Sequence, residues 1–143
     1  MIYTDEKQVV KLLSYMTTFD GGLYKYKTAK NAKFIMNMRK ENLDYVEWVR
    51  DALAYYTSSI IEDRPDYNTD GYVRQPQVRL YSRVHPALTK IHSRVYIDKK
   101  KVIDPHMLKL LDAEALAIIF MADGGSKLDK GKCPSVDLHT KGF

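Results

Sequence analysis

With 143 residues, 45% of them hydrophobic and 29% charged, the chain can bury one core but is too short for a second full domain. No stretch approaches the roughly 18 uncharged apolar residues of a membrane span, and acidic Asp5 and Glu6 are unlike the start of a signal peptide. We therefore expect an intracellular protein without a membrane partner. The single cysteine, Cys133, excludes an internal disulfide and a cysteine-based zinc site.

The net charge of +5 is unevenly distributed along the chain. Residues 21–40 contain basic residues and no acidic residue, and residues 71–103 contain eight basic residues against Asp98 alone. Such segregation suits a partner with many phosphates, because each cation placed against a phosphate releases a condensed counterion. A basic surface facing only water explains the same charges, so charge alone leaves both interpretations open.

The first predicted elements in chain order are a helix and two strands. An apolar stripe over residues 5–19 predicts a helix that Thr4 caps and that the glycine pair at 21–22 ends. Residues 23–27 and 33–39 then predict a hairpin. Alternation along its second strand places Phe34, Met36 and Met38 on a core face and Lys33, Ile35, Asn37 and Arg39 on the opposite face.

A helix, two strands and a loop are predicted next. Apolar residues at helical spacing indicate a helix over residues 41–57, and a strand is expected near residues 58–62. Proline, glycine and asparagine between Asp63 and Gln77 are typical of a loop or a linker; we favour a loop because residues 77–83 resume as a strand. One face of that strand carries residue types that contact bases and phosphates: Gln77, Arg79, Tyr81 and Arg83.

The remaining segment predicts two helices joined by a basic connection. His85 and Pro86 begin a short helix, residues 95–103 form the connection, and Asp112 caps a helix that ends at Asp123. The predicted order is helix, two strands, helix, two strands, helix and a last helix, which is an α+β fold.

Asp-Gly-Gly occurs at residues 20–22 and again at residues 123–125, each time after a run with apolar helical spacing. Two copies of a helix followed by an acid indicate a duplicated architecture with paired acids. The segments ending at these acids resemble the motif of the LAGLIDADG homing endonucleases, in the single-chain branch that carries two motifs. The second copy matches at Leu116, Ala117, Ala122, Asp123 and Gly124, and the first at Leu13, Asp20 and Gly21.

The resemblance implies that the two motif helices pack together and that each delivers its last acid to one active site. Asp20 and Asp123 hold these positions, and Lys101, with Lys100 as the alternative, matches the lysine that usually assists in this family. The acids would bind Mg²⁺ or Mn²⁺ together with backbone oxygens of Gly21 and Gly124, for metal-assisted phosphodiester hydrolysis. The alternative is that both aspartates are ordinary helix-end residues.

The expected contact between the motif helices depends on small side chains. Ser14, Thr17 and Ala117 are small enough for two helices to approach closely. Tyr15 stands where the motif has glycine, and we expect it to disturb close packing at that point.

The resemblance also implies a curved antiparallel sheet that lies in the major groove of double-stranded DNA. Side chains facing the groove would contact base edges, and the flanking cations would contact phosphates. The candidates share one predicted face: Lys25, Lys27, Lys33, Asn37, Arg39, Arg74, Gln75, Gln77, Arg79, Tyr81 and Arg83.

A two-motif enzyme of this family repeats the helix and strand unit after its second motif. Here residues 1–111 correspond to the first half-domain, and residues 112–143 to the second motif helix and the start of a second half, with the next strand near Val136. A fragment, a split enzyme completed by another chain, and a pair of identical copies all fit this pattern. We expect association with a second chain or copy, because Leu116, Ile119 and Phe120 would otherwise lose cover.

The sequence is also compatible with two other functions. Some proteins of this family are maturases that bind intron RNA, and a relative can also retain DNA binding without cutting. The expected location is the host cytoplasm for a phage or bacterial protein and an organelle for an organellar one.

Overall fold

The computed structural model describes residues 3–64, 75–129 and 132–138. Helices and antiparallel strands alternate along these segments, which confirms the predicted α+β class. The elements are α1 (Glu6–Thr18), β1 (Gly21–Tyr24), β2 (Lys33–Arg39), a 3-10 turn (Lys40–Asn42), α2 (Leu43–Leu53), β3 (Ser59–Arg64), β4 (Gln77–Ser82), α3 (Pro86–Val95), β5 (Tyr96–Ile97), β6 (Lys100–Lys101), α4 (Pro105–Lys109), α5 (Ala113–Asp123), β7 (Gly124–Asp129) and β8 (Lys132–Leu138).

Helix α1 lies in the centre of the fold. Its predicted apolar stripe, which includes Val9 and Met16, has no exposed surface. The predicted cap at Thr4 is wrong, because the helix begins one residue later and the Asp5 carboxylate accepts a hydrogen bond of 2.9 Å from the Lys7 amide. An aspartate at this position satisfies one of the free amides of the first turn and interacts favourably with the helix dipole.

Four strands form one antiparallel sheet in the order β1-β2-β4-β3. The predicted alternation along β2 is confirmed, since Phe34 and Met36 are buried while Asn37 is exposed. In β4, Val78 and Leu80 are buried on the same inner face. The sheet therefore has one face packed in the core and one face turned outward.

Strand β1 begins earlier and ends earlier than the predicted run 23–27. Gly21 and Gly22 do not only end the helix; they already pair with Met36 and Ile35 of β2. A Cβ atom on Gly21 would overlap the Phe34 ring, so the strand can approach the core this closely only with glycine at that position. The chain thus passes from α1 into the sheet through Phe19 and Asp20 alone.

The helix predicted over residues 41–57 is divided. A 3-10 turn at Lys40–Asn42 precedes α2, which ends at Leu53. Strand β3 continues to Arg64, two residues into the predicted loop, and residues 65–74 of that loop lie outside the described residues.

The basic connection predicted over residues 95–103 contains a hairpin, β5–β6. Asp98 and Lys99 form its turn with positive φ angles of 49° and 64°. This is the left-handed region that a two-residue hairpin turn requires. The hairpin is attached to β1 by two bonds: Lys101 Nζ donates to the Gly21 carbonyl at 2.7 Å, and the Tyr96 hydroxyl accepts from the Leu23 amide at 3.3 Å.

Helix α5 packs against α1, and a buried lysine joins them. Lys11 Nζ donates to Asp112 Oδ2 at 2.7 Å and to Glu114 Oε2 at 2.8 Å. Asp112 also caps α5, as predicted, by accepting from the Ala115 amide at 2.9 Å. The start of α5 is therefore held on α1 by charge and by hydrogen bonds together.

The small residues predicted at the contact between the motif helices differ in burial. Ser14 and Thr17 are buried, whereas Ala117 is exposed, because α5 turns Ala115 and Ile118 inward instead. Tyr15 is directed to α4, where its hydroxyl donates to the Met107 carbonyl at 2.7 Å. Its bulk is thus accommodated beside another helix.

The segment after Asp123 contains more structure than the single strand predicted near Val136. Strand β7 begins at Gly124 and pairs with β8, which places Gly124 opposite Leu138. Within the described ranges, no helix is both long and apolar enough to cross a membrane.

We expect Lys11→Met to weaken the attachment of α5 while leaving the core intact. The variant keeps most of the apolar side chain but removes the charge that binds Asp112 and Glu114. Because both partners are substantially exposed, the expected loss is about 0.5 to 1 kcal/mol of unfolding free energy. Faster amide hydrogen exchange in α5 would reveal it. Lys7→Met, on the exposed side of the same helix, is the control; equal exchange in α5 for both variants would contradict the prediction.

Candidate active site and nucleic-acid interface

Asp20 lies between the end of α1 and the first residue of β1, close to the middle of the fold. Its side chain is partly buried, and its Oδ2 atom is enclosed without a hydrogen-bond partner. An enclosed carboxylate oxygen without a partner is unusual, because burying an unpaired polar atom costs free energy. Such an atom is suited to receive a ligand.

Asp123 is the last residue of α5, and its charge acts on Asp20 and on Lys101. The structure thus brings the three residues predicted as catalytic into one electrostatic cluster. They come from three separate elements: the end of α1, the end of α5 and the β5–β6 hairpin. Local sequence patterns do not determine that these three residues lie close together, because this depends on the packing of α5 beside α1.

The pKa of Asp20 is raised above its ordinary value. Burial is the main cause, and the negative charge of Asp123 adds to it. The Tyr45 hydroxyl and the positive charge of Lys101 act in the opposite direction. The ionised form of Asp20 is therefore destabilised, and a bound cation would stabilise it.

Lys101 is held beside both acids by its bond to the Gly21 carbonyl. Burial lowers the pKa of this lysine, and the charges of Asp20 and Asp123 partly counteract that shift. Of the two lysines proposed from the sequence, Lys101 is the one inside the cluster, whereas Lys100 is exposed. A positive charge at this position can stabilise negative charge that develops nearby.

Tyr45 is a member of the cluster that the sequence analysis missed. Its hydroxyl is buried and faces Asp20, although the two groups do not reach the distance and angle of a full hydrogen bond. Burial and the nearby Asp20 charge raise the pKa of Tyr45 far above its ordinary value, so it stays protonated. Tyr45 lies off the apolar stripe of α2, and no spacing in the sequence connects it with Asp20.

The residues present fit a hard divalent cation such as Mg²⁺ or Mn²⁺. Two carboxylates under mutual repulsion, one with an unpartnered oxygen, are ligands that these ions prefer. The Gly21 carbonyl oxygen already accepts a hydrogen bond from Lys101, and its second lone pair is left for a cation. Across the described ranges, no three His, Cys, Asp or Glu side chains converge on one point, so water would complete the coordination.

The outward face of the sheet carries rows of side chains, because paired residues of antiparallel strands lie beside each other. The register gives these rows in turn: Tyr24 and Lys33; Gly22, Ile35, Tyr81 and Ile60; Asn37, Arg79 and Glu62; and Arg39, Gln77 and Arg64. We call the second of these, Gly22, Ile35, Tyr81 and Ile60, the apolar row.

Bonds between neighbouring strands hold several polar residues of this face in place. Arg79 Nε donates to Asn37 Oδ1 at 3.0 Å, and Arg64 Nη1 donates to Gln77 Oε1 at 2.9 Å. Pre-positioned amide and guanidinium groups are those that contact adenine and guanine edges in the major groove.

Most of the predicted DNA contacts lie on or beside this face. Lys33, Asn37, Arg39, Gln77, Arg79 and Tyr81 are on it, and exposed Gln75 and Arg83 flank β4. Lys25 and Lys27 are exposed but lie after the end of β1, in the loop to β2, and not on a strand as predicted. Arg74 is outside the described residues.

Strand β3 supplies members of the face that the sequence analysis did not include. Ile60, Glu62 and Arg64 pair with Tyr81, Arg79 and Gln77, respectively, and point to the same side. Their alternation with Ser59 and Ile61 was visible in the sequence. The position of β3 beside β4 was needed to assign it to this face.

Comparison with known proteins now decides the family. The LAGLIDADG DNA endonuclease family matches residues 19–143, which include Asp20, Lys101 and Asp123. The chain belongs to this family. No curated protein sequence matches it.

Among solved structures, this LAGLIDADG chain is similar to the homing endonuclease I-WcaI, a structure described as bound to its DNA recognition sequence. The TM-score is 0.75 at 22% sequence identity, so the likeness concerns the fold. The alignment covers 99% of this chain and 63% of I-WcaI. The chain therefore spans less than two thirds of the length of that protein.

Replacing Asp20 by asparagine is expected to stabilise the fold at neutral pH. Because the pKa of Asp20 is raised on folding, its favourable contribution exists below the unfolded pKa and is lost as the pH rises through the folded pKa. Asp20→Asn removes the buried charge, so its melting temperature should exceed that of the unchanged chain at neutral pH. The difference should shrink in acid, as measured by thermal unfolding across the pH range.

Asp44→Asn is the matched control, because Asp44 is an exposed carboxylate in the first turn of α2. It should produce no comparable gain. A lower melting temperature for Asp20→Asn than for the unchanged chain at neutral pH would show that the charge of Asp20 stabilises the fold.

Proposed function

We propose that this chain acts as a site-specific, metal-dependent endonuclease of double-stranded DNA. The observation that carries the proposal is the meeting of Asp20, just after α1, and Asp123, at the end of α5, beside the partly buried Lys101. This cluster adjoins the first residues of a sheet whose outward face carries arginine, asparagine and glutamine. A phosphate-cutting site next to a base-contacting surface is the arrangement that sequence-specific cleavage needs.

Asp20 and Asp123 would hold a magnesium or manganese ion, with the Gly21 and Gly124 carbonyls as further oxygen donors. When bound, the ion supplies neutralisation of phosphate charge and activation of water. Lys101 Nζ places a positive charge beside the reacting phosphate and stabilises the additional negative charge of the transition state. The protonated Tyr45 hydroxyl lies beside Asp20 and favours the charged form of that acid.

The outward face would bind DNA in the major groove. Arg79 and Asn37 present donors and acceptors from adjacent strands, and the basic residues at the sheet margins, Lys25, Lys27, Lys33 and Arg83, would neutralise phosphates. Duplex DNA is favoured over structured RNA because the major groove of an A-form helix is too narrow to admit a sheet.

We infer that residues 1–111 form one half-domain and that residues 112–143 begin a second. The outer side of α5 is strongly apolar, with Leu116 46%, Phe120 37% and Met121 55% exposed. A surface of this kind needs a cover, which a second chain or a second copy would provide. The mass of the purified protein tests one of these: a self-associated form indicates a second copy, and a monomer leaves a different chain or a further segment of the same protein as the cover.

The decisive experiment is cleavage of a randomised duplex library by the purified protein in magnesium. Specific cuts are expected. Asp20→Asn and Asp123→Asn should each reduce the rate by roughly a hundred- to a thousandfold, because each removes a charge that a cation requires. Asp44→Asn should cleave like the unchanged chain.

Two other results would point to other functions. A library that is bound but never cut would leave a DNA-binding relative without nuclease activity, or one part of a split enzyme. Stronger binding to structured intron RNA than to any duplex would favour a maturase. Cleavage that persists in both aspartate variants would contradict the assigned site.

A further inference from the structure

The outward face of the sheet is polar at most positions, but the apolar row crosses it from one edge to the other. Gly22 pairs with Ile35, Ile35 with Tyr81, and Tyr81 with Ile60. Side chains that are paired in this way lie close enough to touch, so the row is a continuous strip and not a set of isolated residues.

The apolar row is accessible. Ile60 is 56% exposed, and Ile35 and Tyr81 are partly exposed. At the β1 edge, the Tyr24 ring lies over Gly22, where a Cβ atom would approach the ring to 2.8 Å. Hydrocarbon and aromatic carbon therefore form the surface along the whole strip.

The one side-chain polar atom of the apolar row, the Tyr81 hydroxyl, is directed to the adjacent row. The Tyr81 hydroxyl donates to Glu62 Oε2 at 3.4 Å, which lies in the adjacent polar row. The next row along the strands, with Arg79 bonded to Asn37, is polar across its width. The sheet thus presents one apolar strip directly beside rows that can form hydrogen bonds to bases.

The position of the strip relates it to the candidate active site. Gly22 follows Asp20 by two residues and is the first outward residue of β1, so the apolar row begins close to that acid. A base that contacts the β1 end of this row would therefore lie near the candidate active site.

In the major groove, the apolar feature that a base pair presents is the C5-methyl group of thymine. When a methyl group packs against isoleucine, the apolar surfaces of both groups are removed from water. A cytosine at the same place presents an amino group, for which the apolar row offers no hydrogen-bond acceptor. We propose that the apolar row recognises thymine methyl groups in the DNA target. This inference rests on the proposed DNA binding and names the base that this part of the face selects.

In the first step of the test, the full chain selects the duplexes that it binds from a randomised library, under conditions in which no DNA is cut. Each thymine of the selected sequence is then replaced by deoxyuridine, which lacks only the C5-methyl group. We expect at least one replacement to weaken binding by about fivefold, the size expected for one buried methyl group. Putting 5-methylcytosine in place of cytosine elsewhere should have no such effect.

The protein side of the test uses Ile60→Ser and Ile35→Ser. If the row contacts the methyl group, at least one of these variants should bind the thymine and deoxyuridine duplexes equally well. Ile97→Ser is the matched control, because Ile97 is also 56% exposed but lies on the β5–β6 hairpin, outside the four-stranded sheet. It should keep the full preference for thymine. If either serine variant fails to fold, threonine at the same position retains the β-branched shape.

The outcomes separate this inference from the broader function. A chain that selects duplexes but is indifferent to every thymine methyl would overturn the inference and leave DNA binding intact. A methyl preference that survives in both isoleucine variants would also overturn it. A chain that binds no duplex would contradict the proposed function, and this inference with it.

Discussion

Two like charges must be held near each other and partly out of water, and much of the fold serves this constraint. Asp20 and Asp123 repel each other, and burial increases the cost of the charge on Asp20. Lys101 compensates in part, but Asp20 Oδ2 stays without a partner. The cluster is thus less stable than a neutral one, which is typical of functional sites.

The surrounding contacts keep the acids in place against this repulsion. Lys11 fixes the start of α5 on α1 through Asp112 and Glu114, so the end of that helix delivers Asp123 to a defined position. The β5–β6 hairpin is attached to the edge of β1 at Gly21 and Leu23, which places Lys101. These bonds join residues far apart in the chain, and the two from the hairpin end at Gly21 and Leu23, just after Asp20.

The sheet extends outward from the same point. Gly21 lets β1 start directly after the acid, because no side chain separates the strand from the Phe34 ring. The inner residues of β2 and β4 then fill the core, and the outer residues form rows that begin beside the candidate active site. The proposed reaction chemistry and the proposed base recognition therefore both depend on one transition from helix to strand.

The sequence by itself determined what depends on local periodicity: the α1 stripe, the two faces of β2 and β4, the Asp112 cap and the family motif with its two acids. Tertiary structure alone decided which surfaces meet. Tyr45 faces Asp20, β3 joins the outward face, and α5 turns Ala115 inward instead of Ala117. The reason is physical: alternation and helical spacing act between neighbours in the chain, whereas these contacts form only when distant elements pack together.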